Sequence, residues 1–247
     1  MLKYMNILIL RKVGVRMNLS KRNRYTLSIL LIISAVILMF NTNNDPTPLI
    51  NRIFKPTDFM GGTFYYGGIL CIILIIVGLS GIQSKIFKKD ASKIIALILI
   101  LQLTIPLNNF SIKLIKSMSS DLNSIYYNRN EPNTLKIQVG DGGEFIRYTL
   151  ELENCSNIPQ QFYLKIIMPD YYEELIVEKE LVAKELDLKS DKIFVLQGKE
   201  KKKIEAVFSG DINDNIIEKP GSASYITKDI EFVLINDKEE VRFISRY

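Results

Sequence analysis

The chain has 247 residues, 47% of them hydrophobic, and a formal net charge of +5. It contains no histidine, which excludes histidine-dependent triads, HExxH zinc sites and imidazole acid–base catalysis. The charge is divided, because residues 1–115 hold 14 Lys and Arg against 3 acids and residues 116–247 hold 18 against 24. Positive charge beside apolar segments sets membrane orientation, so nucleic-acid binding is not expected.

Three uncharged, mostly apolar runs dominate the N-terminal half of the chain and predict three transmembrane helices. They are Tyr25–Asn44, Phe59–Ser84 and Ile94–Ile112. Each is close to the length of about 20 residues that a helix needs to cross the hydrocarbon core of a bilayer. We therefore expect residues 25–112 to form a membrane anchor in contact with the lipid bilayer. The runs hold no Asp, Glu, Lys or Arg, which argues against a transporter or a proton relay.

The distribution of lysine and arginine predicts the orientation of this anchor. Residues 1–24 form a basic tail without a single acid, and residues 85–93 form a second basic cluster. By the positive-inside rule both segments are cytoplasmic. Three crossings from an inside start place the C-terminal domain outside the cell.

Two alternatives bear on this topology. The first run has a short apolar part, Thr26–Phe40, and resembles a secretory signal peptide, but its exit lacks a small-residue cleavage pattern, so an uncleaved anchor is favoured. The third run has an apolar core, Ile94–Leu107, that is shorter than the usual spanning length and contains Pro106. A re-entrant third segment would leave the C-terminal domain in the cytoplasm.

Glycines flank the second apolar run, at Gly61–Gly68 and at Gly78–Gly81. Small residues allow helices to approach closely, so they favour packing against the other helices or against a partner. Glycine is also generally frequent in membrane helices, which is an equally open explanation.

A short amphipathic stalk is predicted over residues 113–132, between the anchor and the C-terminal domain. Its apolar residues recur at helical spacing, and Pro132 ends the pattern. These residues are Ile115, Met118, Leu122, Ile125 and Tyr126.

From residue 133 the apolar period changes to two, which predicts strands. Apolar and polar residues alternate over Ile146–Leu152 and Phe162–Met168. Further strands are expected at 134–139, 174–179, 192–196, 202–208, 223–235 and 239–246, with turns at 141–143 and 236–238. About seven or eight short strands indicate that residues 133–247 form an all-β, immunoglobulin-like sandwich outside the cell.

Three short segments carry a resemblance to a known domain. They are Tyr127–Asn130, Ile146–Asn154 and Phe162–Leu164. Together they resemble the immunoglobulin-like C-terminal domain of the polyferredoxin family that assists cytochrome oxidase assembly, over roughly residues 127–208. The resemblance implies the fold and an outward-facing position. The cluster-binding cysteines of that family have no counterpart here, so its redox role and cofactors do not carry over.

Other motifs in the C-terminal half have simpler explanations. Asp211–Asn215 is similar to the start of a calcium loop, but Ile216 and Ser222 stand where the glycine and the bidentate glutamate belong. The adjacent pairs Glu173–Glu174 and Glu239–Glu240 point to opposite faces of a strand. Four lysines, Lys199, Lys201, Lys202 and Lys203, form a basic turn that either is solvated or touches anionic headgroups.

The two cysteines, Cys71 and Cys155, are expected on different sides of the headgroup layer and therefore unpaired. The whole pattern favours a non-enzymatic membrane protein that presents an immunoglobulin-like domain outside the cell to a membrane or envelope protein partner. The alternative is an accessory subunit of a transporter or respiratory complex, with the glycine-bearing second run as its contact surface. We expect no catalytic residue, no metal and no cofactor.

Overall fold

The chain divides into two compact units in the computed structural model, which describes residues 21–59, 62–82, 90–129, 131, 133–139, 145–170, 176–185, 187–210, 221–226 and 230–244. The helical unit comprises residues up to 39 together with 49–104, and the β unit comprises 40–48 together with 105–247. Several predicted features lie outside the described residues. They are most of the basic tail 1–24, most of the basic cluster 85–93, the turn at 141–143, Glu173–Glu174 and the calcium-like loop 211–215.

The helical unit has a small core and many exposed apolar side chains. It contains α1 (Lys21–Leu38), α2 (Leu49–Ile53), β1 (Thr57–Phe59), β2 (Gly62–Phe64), α3 (Tyr66–Gly81) and the first part of α4 (Asp90–Met118). Its core consists of Ala35, Ile50, Cys71, Ile75 and Leu79. Large apolar residues on the other faces are about half exposed, including Leu30 at 54% and Ile73 at 50%. A helix that is apolar on every face is typical of a membrane environment.

Among the described residues, one helical segment is long and apolar enough to cross a membrane. This segment is Ser92–Met118 of α4, and only 11% of its most apolar window is buried. The apolar helices Asn23–Leu38 and Tyr66–Gly81 are shorter. At a rise of about 1.5 Å per residue, helices of this length span roughly 24 Å, against a hydrocarbon core of about 30 Å. On length and composition, the prediction of three spanning helices in 25–112 is therefore met by one helix.

The three apolar runs differ from the helices in instructive ways. The first run leaves the helix at Leu38, and the second begins with the β1–β2 hairpin, so both helices are shorter than their runs. The third run, with the shortest apolar core, forms the longest of the described helices, since α4 continues through Pro106 to Met118. Membrane helices tolerate proline where neighbouring groups satisfy the backbone.

The segment predicted as an amphipathic stalk, 113–132, is not a separate helix. It contains the end of α4, a 3-10 turn at Asp121–Ser124 and strand β3 (Ile125–Tyr127). The helix ends before Asp121, whose φ of 48° lies in the left-handed region. Consequently Met118 is 81% exposed whereas Leu122 and Ile125 are fully buried, and the five apolar residues do not share one stripe.

Nine further strands follow β3 in the described part of the β unit. They are β4 (Thr134–Val139), β5 (Phe145–Asn154), β6 (Gln160–Ile167), β7 (Glu180–Lys184), β8 (Ile193–Leu196), β9 (Lys201–Phe208), β10 (Gly221–Ile226), β11 (Glu231–Ile235) and β12 (Glu240–Phe243). Most coincide with predicted strands. Of the strand expected at 174–179 the structure describes residues 176–179, and the strand in this region is β7, which begins at Glu180. The single strand expected at 223–235 contains the end of β10 and the whole of β11.

All these strands pair in antiparallel fashion as one network. The order is β10-β4-β5-β9-β7-β6-β11-β12, with β3 also beside β5 and β8 also beside β6. Strand β7 joins the two halves, because Leu181 pairs with Ile166 of β6 and Ala183 pairs with Phe208 of β9. The β-rich, antiparallel character of the predicted domain is confirmed. The pairing runs through β7 without a break, which differs from two separate sheets.

The core of the β unit follows from the alternation of apolar residues along the strands. In β5 every second residue is buried from Ile146 to Asn154. The largest fully buried side chains are aromatic, and they include Tyr148, Phe162, Phe208, Phe232 and Phe243. A continuous cluster of buried residues reaches from Leu122 to Phe243, so the 3-10 turn and β3 belong to the same core.

Candidate functional site: a loop that clasps the β unit

The β unit contains a loop that the sequence does not predict to be part of it. This loop, residues 40–48, connects α1 to α2. Residues 40–48 are part of the β unit, although α2, β1, β2, α3 and the first part of α4 lie between them and β3 along the chain. We call the group Asn43, Asn44, Tyr127, Arg129 and Ile244 the clasp. It lies where β3 and the end of β12 meet this loop.

Asn43 acts as a substitute for a neighbouring strand. Its side-chain Nδ2 donates to the carbonyl oxygen of Tyr127 at 2.8 Å, and the Tyr127 N–H donates to its Oδ1 at 2.7 Å. Both backbone groups of Tyr127 are thereby satisfied by one amide. Because Asn43 is only 5% exposed, this pairing takes place away from water.

Asn44 and Arg129 secure the end of β12. The Ile244 N–H donates to the carbonyl oxygen of Asn44 at 2.7 Å. The Arg129 Nη2 donates to the carbonyl oxygens of Asn43 and Ile244, each at 2.9 Å. Its guanidinium also lies 5.0 Å from the centre of the Tyr127 ring. One arginine therefore connects the loop, β3 and the end of β12.

The rings beneath the clasp form a compact aromatic group. The ring of Tyr127 packs edge-on against Phe232 at 5.0 Å and against Phe243 at 6.1 Å. Phe232 and Phe243 are stacked at 4.7 Å between ring centroids. Such pairs add to the free energy of burial by about 0.5–1.5 kcal/mol each. The clasp is thus continuous with the hydrophobic core.

A buried polar group lies next to these rings. The Asn133 amide donates to the hydroxyl of Tyr148 at 2.8 Å and also contacts the hydroxyl of Tyr127. Asn133 is 1% exposed and Tyr148 is fully buried. Burial raises the pKa of Tyr148 well above its ordinary value, so this hydroxyl stays neutral.

The loop itself is pre-shaped by its own polar residues. Asp45 Oδ1 accepts the Thr47 N–H at 2.8 Å, and the Thr42 N–H donates to the Asp45 carbonyl oxygen at 3.1 Å. At its start, Asn41 Oδ1 accepts from Asn108 Nδ2 of α4 at 2.7 Å. Asn41, Asn43 and Asn44, at the end of the first apolar run, therefore make hydrogen bonds within the β unit.

A second cluster fixes the end of α4 to the strands. Lys113 Nζ lies 2.6 Å from Glu153 Oε2 of β5 and 4.8 Å from the centre of the Tyr126 ring. Ile112 and Tyr126 pack with Cys155 as a small buried cluster. Lys116 is 6% exposed, and its Nζ donates to the carbonyl oxygen of Asn123 at 3.1 Å. This cluster makes the last turns of α4 part of the β unit.

Both cysteines are buried and free. Burial, with the charge of Glu153, raises the pKa of the Cys155 thiol, although lysines nearby oppose this effect. A thiol in this state is a poor nucleophile. Among the described residues no three His, Cys, Asp or Glu side chains come close enough together to hold a metal ion.

The basic turn predicted at Lys199–Lys203 is part of the fold. Lys199 adopts a left-handed φ of 61°, and its ammonium group contacts the carbonyl oxygen of Cys155. Lys201 Nζ lies 2.8 Å from Glu151 Oε1, and the pKa of Lys201 is raised chiefly by this hydrogen bond. Of the predicted pair Glu239–Glu240, Glu239 accepts a 2.7 Å hydrogen bond from Asn123 Nδ2.

Two glycines of α3, Gly67 and Gly78, pack closely within the helical unit. A Cβ at Gly78 would lie 2.6 Å from Ile32 Cγ1, and one at Gly67 would lie 2.8 Å from Ile50 Cγ1. The close approach of α3 to α1 and α2 accounts for these two glycines. They are thus structural contacts of this chain, which weakens their interpretation as the surface of an accessory subunit.

Comparisons with protein-family models, with curated proteins and with solved structures each found no match. The resemblance to the polyferredoxin domain therefore stays a prediction. The clasp and the fixed end of α4 are the features on which a function can be argued. The clasp is built from buried backbone pairing, and the end of α4 is held by an ion pair and a small buried cluster.

Proposed function

We propose that this protein is a non-enzymatic membrane protein that presents an immunoglobulin-like β unit outside the cell to a protein or envelope partner. The observation that carries the proposal concerns α4, which is long and apolar enough to cross a membrane and continues directly into the core of the β unit. Only Ser119 and Ser120 separate α4 from the 3-10 turn. A short connection of this kind supports an anchored scaffold.

The clasp supports a specific topology. Residues 40–48 and the strands are parts of one unit, so both lie on the same side of the membrane. If α4 crosses the bilayer, the chain between residue 48 and β3 crosses an even number of times. The returning pass is then α3, the other apolar helix of that stretch. Bilayer thinning or flanking residues compensate for its short length.

With α1 as the remaining pass, this topology has a cytoplasmic N-terminus and an external β unit. The basic residues before α1 agree with that orientation by the positive-inside rule. The antiparallel strands of the β unit and its aromatic core support the sandwich architecture that we propose for it.

Protease accessibility of the full chain tests the anchoring and the topology. The chain, with a tag after Tyr247, is expressed in bacterial membranes and extracted with alkaline carbonate. We expect it to stay in the membrane fraction and the tag to be removed by protease added to right-side-out vesicles. Release by carbonate contradicts the anchor, and a tag that is cut only after lysis contradicts the external β unit.

Affinity capture tests the binding role. Cross-linked intact membranes are captured through the full chain and, as a control, through a chain truncated after Met118. We expect a partner that is recovered only when the β unit is present. A partner recovered equally by both chains would favour contact through the helices, as in an accessory subunit, and no partner above background would contradict the proposal.

A further inference from the structure

The clasp bonds two strand ends that are not paired with each other in the described part of the chain. Strand β3 pairs with β5, and β12 pairs with β11. Hydrogen bonds that link the end of β3 to the end of β12 pass through Asn43, Asn44 and Arg129. Both backbone groups of Tyr127 and of Ile244 take part in this set.

We propose that residues 43 and 44 are a conformational latch that holds the ends of β3 and β12 closed, and that its withdrawal releases both ends together. Residues 39–48 connect the end of α1 to the start of α2, and the latch lies in the middle of them. Residues 39–42 separate the latch from α1, and residues 45–48 separate it from α2. The latch adds a moving part to the scaffold proposed above.

Cooperative release follows from the way the hydrogen bonds are shared. Arg129 donates to Asn43 and to Ile244, so the loss of Asn43 from its position removes support from both strand ends. The released ends expose unpaired N–H and C=O groups beside the rings of Tyr127 and Phe243. Unpaired strand edges of this kind accept an extended segment of another chain.

Two neighbouring substitutions separate the latch from a general loss of stability. Asn43→Ala removes the amide that replaces a strand. Asn44→Ala is the matched control, because Asn44 accepts from the Ile244 N–H through its backbone carbonyl oxygen. Within the described residues, its side chain makes one long hydrogen bond, of 3.4 Å, to the carbonyl oxygen of Arg242. Hydrogen exchange of single amides in the full chain in detergent micelles reports both strand ends and the centre of β5.

In Asn43→Ala we expect exchange at Tyr127 and Ile244 to rise together by roughly 5- to 100-fold, the range that two ordinary hydrogen bonds give. Exchange at Leu150, in the centre of β5, should change several-fold less, and Asn44→Ala should leave all three amides within about 3-fold of the wild type. Arg129→Gln, which leaves Asn43 in place, should raise the exchange rates of the same two amides.

Three results would overturn the latch. The first is a faster exchange at Tyr127 without a change at Ile244, and the second is an increase at Leu150 by the same factor as at both strand ends. The third is an effect of Asn44→Ala equal to that of Asn43→Ala. If Asn43→Ala fails to fold, Arg129→Gln carries the same comparison. Because the measurement is made in micelles, it does not depend on which side of the membrane the β unit occupies.

Discussion

At the scale of single residues, buried asparagine side chains hydrogen-bond backbone and hydroxyl groups at several places in the β unit. Asn43 pairs with the backbone of Tyr127, Asn133 bridges two buried tyrosine hydroxyls, and Asn154 Nδ2 donates to the carbonyl oxygen of Ile158 at 2.8 Å. A buried amide carries both a donor and an acceptor, so it can replace a missing strand or satisfy a turn. Such groups are costly if one partner is lost.

Tyr148→Phe tests the cost of removing one of the two tyrosine hydroxyls that the Asn133 amide contacts. The substitution removes one hydroxyl from a fully buried site, and we expect it to lower the free energy of unfolding by about 1–3 kcal/mol. Tyr163→Phe, at a half-buried position of β6, is the control and should change it by less than about 0.5 kcal/mol. Urea titration of both variants gives the comparison, and equal effects would contradict the role of Asn133.

Cys155→Ala tests the linkage of stability to pH. Burial raises the pKa of the thiol in the folded state, so the unfolded chain loses this proton first as the pH rises. Stability should therefore fall from about pH 8.5, the ordinary thiol pKa, up to the folded pKa. We expect urea midpoints of the wild type to decrease more steeply above about pH 8.5 than those of Cys155→Ala. Parallel curves would exclude a contribution from this thiol.

At the scale of elements, the sequence predicts a strand correctly where one face of the strand is buried and the other is exposed to solvent. The alternation of β5 and β6 survives in the structure, because burial on one face fixes the register. Strand β7 was missed, since Glu180–Lys184 has a weak pattern and its partners, β6 and β9, are separated from it by loops or by β8. Pairing of this kind leaves no local signal.

For the helices, the sequence predicts the position but not the ends. Apolar composition located all three runs but not their ends, because the residues that leave α1 and precede α3 are themselves uncharged. The clasp was also hidden: Asn41, Asn43 and Asn44 look like an ordinary exit from a membrane helix. The one available signal was the concentration of asparagine there, which has meaning only once Tyr127 and Arg129 are seen beside it.

Gly78→Ala tests the packing of α3 against α1. A methyl group at Gly78 would lie 2.6 Å from Ile32 Cγ1 and 2.8 Å from the Ser28 carbonyl oxygen, so one of the helices must shift. We expect a loss of about 1–3 kcal/mol, as for other overpacked sites. Gly68→Ala, which meets no atom within 4 Å, is the matched control and should be neutral or slightly stabilising.

Thermal unfolding of both glycine variants in micelles, followed by helical circular dichroism, provides the measurement. A lower midpoint for Gly78→Ala alone is the expected result. Equal midpoints for the two variants would contradict the close packing of these helices.

At the scale of the whole molecule, the boundary of the β unit does not coincide with the change of composition at residue 133. The core begins at Leu122, and β3 pairs Ile125 with Asn154 and Tyr127 with Leu152. A contribution from residues 40–48 adds a segment from between the first two helices. The β unit therefore includes a segment, residues 40–48, that lies among the helices in the sequence.

Fragments of the chain test this boundary. Residues 133–247 lack β3, which is the partner strand of β5 from Leu152 to Asn154, and they also lack the buried side chains of Leu122, Ile125 and Tyr127. We therefore expect this fragment not to unfold cooperatively. Residues 119–247 include β3 but lack residues 40–48, and they should unfold cooperatively with reduced stability.

A second experiment joins residues 40–48 to the start of the longer fragment through a flexible linker. We expect this to raise the midpoint of thermal unfolding, and Asn43→Ala in the joined segment should cancel most of the gain. Near-ultraviolet circular dichroism during thermal unfolding distinguishes these states. A fully cooperative 133–247 would show that the β unit is complete without β3 and the loop.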